Sequence, residues 1–158
     1  MQGQYIEILI QSLNKKQEIL SEIQKKNEEQ RLLLMDENLI PEDFEKNVQE
    51  KAALVEELEL LDEGFDEVYQ RVREDLMHNR SLYNRQITTL QHQIREITAA
   101  SNQIQTQEKR NYELAVRKFS NIKKQIREVK ASHKAVNQYY QNMMKLNFVD
   151  PQFMDNKK

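Results

Sequence analysis

No glycine or proline occurs between Phe65 and Asp150. These are the two residues that most readily end a helix, glycine through backbone freedom and proline through its missing N–H and ring clash. Within this stretch the apolar positions run Tyr83, Ile87, Leu90, Ile94, Ile97, Ile104, then Phe119, Ile122, Ile126, Val129, Val136, Tyr140 and Met143. Steps of three and four residues keep such side chains on one face of a helix. The spacing predicts one helix over about 82–145, roughly 90 Å long at 1.5 Å per residue. Such a helix cannot bury its own stripe. It needs the N-terminal half, a second chain or a partner protein. With two Gly and two Pro in 158 residues, the chain also lacks the turn residues of a sheet protein. The expected fold is all-α, an elongated antiparallel hairpin or bundle of three long helices with coiled-coil character.

The first helix is expected over about 4–35, where Ile6, Leu9, Leu13, Leu20, Ile23 and Leu34 share a face. Lys16, Asn27 and Gln30 fall on the same seam, where polar residues usually fix register. Asp36 to Ile40 reads as a short connector between antiparallel neighbours. Pro41 suits the first turn of the second helix, and Glu42 and Asp43 favour its positive end. That helix, about 42–77, carries Phe44, Val48, Val55, Leu58, Phe65, Val72 and Leu76, with Gly64 inside it as a close-approach point or a weak spot. Met77 to Ser81 is a candidate break, with Ser81 as a cap. Leu76 and Tyr83 stay in phase across it, so a continuous helix is the alternative.

Between Ser101 and Arg117 the third seam turns polar at Ser101, Glu108 and Asn111, and the phase resumes one residue shifted at Phe119. A stutter of this kind turns the apolar face. The expected organisation is a helical bundle over 1–112, the distal part of the long helix over 113–146, and a tail over 147–158.

The chain offers little for catalysis. It has no cysteine, which removes disulfides, thiol chemistry and cysteine-based zinc sites. His78, His92 and His133 are scattered and read as surface residues; no phosphate-binding glycine loop or calcium-loop spacing is present. No enzyme activity, metal or cofactor is expected. Met1 to Tyr5 shows no signal-peptide pattern, and no apolar run is long enough to span a membrane, so a soluble cytoplasmic protein without membrane insertion is expected. Residues 1–76 hold 9 Lys/Arg against 20 Asp/Glu, while 77–158 hold 15 against 6. Halves of opposite sign favour mutual packing. Glu108, Glu113 and Glu128 interrupt the basic half, which argues against nucleic acid as a partner.

The strongest functional signal is the apolar crowding at the end of a polar chain. Val136, Tyr139, Tyr140, Met143, Met144, Phe148 and Phe153 are the candidate partner-binding residues, because Tyr and Met suit adaptable binding surfaces. The same residues would also serve to cap the bundle by folding back on the first helices.

Several segments carry a resemblance. Ile6-Glu-Ile-Leu9, Leu13 and Ile19-Leu20 are followed by Lys51-Ala-Ala-Leu54-Val-Glu-Glu-Leu58-Glu-Leu-Leu-Asp62, an Asn-bearing helix around Ile104 to Asn111, and the ending Asn137-Gln-Tyr-Tyr-Gln-Asn-Met-Met144 with Asn147-Phe-Val-Asp-Pro-Gln-Phe-Met-Asp155. In this the chain resembles the FlgN/FliT-like flagellar export chaperones, and its ending is similar to those of clostridial members. The resemblance covers most of the chain, and the ending is its distinctive part. It implies a cytoplasmic escort that holds a helical segment of a late export substrate, a hook–filament junction or cap protein, through roughly Val136 to Phe153. It further implies delivery to a component of the type III export apparatus. The second expectation is a structural coiled-coil spacer or scaffold acting as a homodimer.

Overall fold

The computed structural model describes residues 2–120 and 122–146. They form four helices, α1 (Gln2–Met35), α2 (Pro41–His78), α3 (Asn84–Lys118) and α4 (Lys123–Leu146). The all-α class is as expected, but the single long third helix is two helices. The chain turns after Lys118, and no glycine or proline separates α3 from α4. Phe119 has φ −101° and ψ 17°, and Ile122 N donates to Phe119 O at 2.9 Å. The one-residue phase slip accounts for the turn. A straight continuation would swing the stripe of α4 away from the bundle, whereas reversal brings Ile126 and Val129 onto Leu34, Phe44, Ala115 and Phe119. Phe44 and Phe119 anchor this end edge to face, with centroids 5.1 Å apart.

The other boundaries follow local chemistry. Residues 36–40 connect α1 to α2, Pro41 opens α2, and Glu42 and Asp43 occupy its first turn. The break after α2 is real: Leu82 N bonds Asn79 O and Tyr83 N bonds Arg80 O in successive turns. The N-cap of α3 is Tyr83 rather than Ser81, and it makes no side-chain cap bond. Gly64 is exposed, and a Cβ there would meet nothing within 4 Å, so it is a weak spot and not a close-approach point.

Cross-helix partners give the topology. Lys16 meets Asp62 and Lys26 meets Glu50, so α1 and α2 are antiparallel. Gln93 meets Asn14 and Gln103 meets Gln24, so α3 runs parallel to α1. Lys124 meets Glu45 and Tyr139 meets Asp62, so α4 runs parallel to α2 and opposite to α3. The helices alternate up and down, α1 and α4 each packing against both α2 and α3. The helices that follow one another as α2 and α3 therefore sit diagonally across the bundle.

The core has three levels. The larger apolar level joins Ile6, Leu9, Leu20, Leu58, Val72, Leu90, Ile97, Ile104 and Tyr140. Burial of each large side chain contributes roughly 1.5–3 kcal/mol. The smaller apolar level surrounds Phe44 and Phe119 at the end with the 36–40 and 119–122 turns. Between them lies a buried polar level. Lys51 Nζ donates to both carboxylate oxygens of Glu108 and to Asn27 Oδ1. Asn111 Nδ2 donates to Asn27 O and Gln30 Oε1, and Gln30 Nε2 donates to Asn47 Oδ1. Asn27 and Gln30 of the first seam and Glu108 and Asn111 of the third thus meet inside the bundle. A shift of one helix by one turn would leave these groups buried and unpaired, which is how they fix register.

Candidate functional site

The inward face of α4 is secured at one point by a three-helix relay. Asp62 of α2 accepts from Lys16 Nζ of α1 at 2.7 Å and from Tyr139 Oη of α4 at 2.6 Å. Burial lowers the Lys16 pKa, while the Asp62 charge and hydrogen bond oppose that shift. Burial, reinforced by the neighbouring Asp62 charge, pushes the Tyr139 hydroxyl well above the usual tyrosine range. Tyr140, stacked edge to face on Tyr139 at 5.1 Å, is raised for the same first reason, with Glu108 and Asp62 adding to it. Both hydroxyls stay protonated at neutral pH, and that of Tyr139 acts as a donor to Asp62 rather than as a nucleophile.

The outward side of the same helix pair is open. Between α2 and α4 runs a groove of about 650 Å³. That is within the roughly 300–1,000 Å³ of clefts that hold ligands. Its lining includes Val48, Ala52 and Val55 from α2 and Ala131, Ala135 and Val136 from α4, with the carboxylates of Glu45, Glu56, Glu59 and Glu128 among them. The groove exists because the facing residues are small. Ala52, Ala131 and Ala135 are exposed and fill little of the space between the helices.

The candidate partner-binding residues divide here. Val136, Tyr139 and Tyr140 are 3%, 6% and 0% exposed, and all three belong to the main core. Val136 and Tyr139 also contribute to the lining of the groove, whereas Tyr140 does not and is fully buried. For these three, the bundle-capping role is the one the packing displays. Met143 and Met144 lie in α4, but their side chains, and the whole of Phe148 and Phe153, fall outside the described residues. Sequence reasoning missed the contribution of α2, because Ala52 and Glu56 become neighbours of Ala131 and Ala135 only once α4 has folded back. The available signal was the phase slip at Phe119.

His78 and His92 are exposed, as expected, but His133 is half-buried and stacked on Tyr112 with ring centroids 4.2 Å apart. It borders a cavity of about 20 Å³ that also touches Lys51, Glu108 and Asn111, room for a single water. Among the described residues, no group of three or more His, Asp or Glu is placed to hold a metal ion, and no helix is long and apolar enough to cross a membrane. Comparison with family models, with curated proteins and with solved structures finds no match to this chain.

Proposed function

We propose that this chain is a non-catalytic helix-binding protein, a cytoplasmic escort for a helical segment of a late flagellar export substrate. The client class, a hook–filament junction or cap protein delivered to the export apparatus, is what the resemblance of Ile6 to Asp62 and Asn137 to Asp155 implies. The observation that carries the helix-binding reading is the open groove between α2 and α4, lined in part by Ala52, Ala131 and Ala135. An amphipathic helix lays its apolar face in such a groove, with small side chains beneath it allowing close approach. A homodimeric spacer is less well supported. It would need an apolar stripe for its second copy, and the stripes of α1 and α3 are buried against each other.

The test is a calorimetric titration of the full chain with terminal helical segments of junction, cap and filament proteins from the same genome. Micromolar or tighter binding to one segment supports the reading and names the client. A chain ending at Leu146 separates the tail from the folded groove. Failure of every segment to bind would overturn the export-client reading.

A further inference from the structure

The groove between α2 and α4 is lined by small apolar residues and four carboxylates, and no lysine or arginine is among its lining residues. It extends from Glu45 to Glu59 along α2, about 21 Å at 1.5 Å per residue, the length of some four helical turns. Among the described residues, Glu56, Glu59 and Glu128 make no ion pair, and Glu45 meets Lys124 only at 3.8 Å. The negative field continues past the groove, since α2 carries seven carboxylates and no base between Glu56 and Glu67. On α4, Arg127, Lys130 and Lys134 are exposed and are not among the groove-lining residues, and only Lys124 approaches a groove carboxylate, so the α2 side of the groove carries most of its negative charge.

From this juxtaposition we infer that the groove seats an amphipathic helix of a partner protein whose apolar face is flanked by Lys and Arg. The apolar stripe of the partner covers Val48, Ala52, Ala131 and Ala135, and its flanking cations meet Glu56 and Glu59 on one side and Glu128 on the other. Opposite charges along a rim set partner choice and association rate more than raw affinity. The tail of the chain itself is a poorer occupant, because residues 147–158 balance Asp150 and Asp155 with Lys157 and Lys158 and bring no net positive charge. This inference rests on the helix-binding reading and specifies the chemistry of the partner.

The experiment titrates the full chain with three labelled synthetic helices of about 18 residues that share one apolar face and differ only in Lys/Arg, Glu or Gln flanks. Fluorescence anisotropy gives the affinities, and amide chemical shifts locate the site. The basic helix is expected to bind about tenfold or more tighter than the acidic one, with the advantage shrinking as salt is raised. Its shifts should centre on Val48 to Glu59 and Glu128 to Ala135. Glu56→Lys combined with Glu59→Lys should reverse the preference, and Ala135→Trp should block all three helices. These positions are exposed, and unchanged thermal melts will confirm that the variants fold.

Equal binding of the three helices, shifts centred elsewhere, or indifference to the charge reversals would overturn the inference. So would binding gained only by the chain ending at Leu146, which would make the tail the occupant, or dissociation of a groove-mediated dimer on titration. An export-client segment that binds outside the groove would leave the escort reading standing while this one falls. The basic helix binding in the groove while all client segments fail would do the reverse.

Discussion

Lys51 Nζ lies 2.9 and 2.8 Å from the two carboxylate oxygens of Glu108, with both side chains almost wholly enclosed between α2 and α3. A buried pair of this kind repays little of its desolvation cost, but loss of one partner leaves a charge without a counterion. Lys51→Met or Glu108→Gln alone is expected to destabilise the fold by about 3–5 kcal/mol in urea denaturation. Lys51→Met combined with Glu108→Leu should recover most of that loss. Single variants as stable as the parent would mean that the pair is effectively solvated.

The two adjacent tyrosines of α4 should respond differently to loss of their hydroxyls. Tyr139 Oη donates to the Asp62 carboxylate at 2.6 Å, whereas the Tyr140 hydroxyl has no partner among the described residues. Tyr139→Phe is expected to cost about 1.5–3 kcal/mol, the range for a hydrogen bond to a charged group. Tyr140→Phe removes an unpaired buried hydroxyl and should be neutral or slightly stabilising. Chemical denaturation of the two variants side by side checks the contrast, and equal losses would contradict it.

Stability should fall in alkali. The Tyr139 and Tyr140 hydroxyls are raised by burial above the ordinary tyrosine value of 10.0. The folded chain therefore keeps protons that the unfolded chain releases. Their contribution is complete below about pH 10 and is lost as pH rises beyond it, by up to roughly 1.4 kcal/mol per pH unit for each ring. Lys16, lowered from 10.5, acts with the opposite sign: its protonated form is disfavoured in the fold, so rising pH relieves that penalty until about 10.5. Above that pH the tyrosine effect stands alone. Urea midpoints from about pH 9 to about pH 11.5 should show the decline, and the double change to Phe should flatten it.

Gly64 sits in the interior of α2, exposed, and a Cβ added there would meet nothing within 4 Å. Gly64→Ala should stabilise the protein by about 0.5–1 kcal/mol through helix propensity and a less flexible unfolded chain. A rise in thermal midpoint is the readout. A fall would indicate a bend of α2 that requires glycine.

Much of the fold is legible in the sequence because most of its signals are local. The stripe of Ile6, Leu9, Leu13, Leu20, Ile23 and Leu34 is buried throughout, and Pro41 marks the start of α2. The turn at Phe119 was harder to see, since Phe-Ser-Asn-Ile has no glycine or proline and its Ser-Asn pair is a weak signal beside the phase slip. The Lys51–Glu108 pair was missed for a different reason. Lys51 lies between Val48 and Val55 at seam spacing, but a lysine in Glu50-Lys51 reads as surface until a carboxylate 57 residues away is known to face it. The groove was least accessible to sequence reasoning. It is made by small residues on two helices, and alanines carry no signal of what they leave empty.

The parallel alignment of α1 with α3 has a consequence for how the chain is made. Each contact between them closes a long loop, 79 residues for Gln24 with Gln103 and 84 for Asn27 with Asn111. Contacts of such sequence separation slow folding, because closure entropy is lost before they form. On the ribosome α1 and α2 can meet early across their short connector. The face of α1 that belongs to α3 remains uncovered until roughly eighty more residues have been added, on the order of ten seconds at typical elongation rates. During that interval the part of the α1 stripe that packs on α3 is open to other nascent chains.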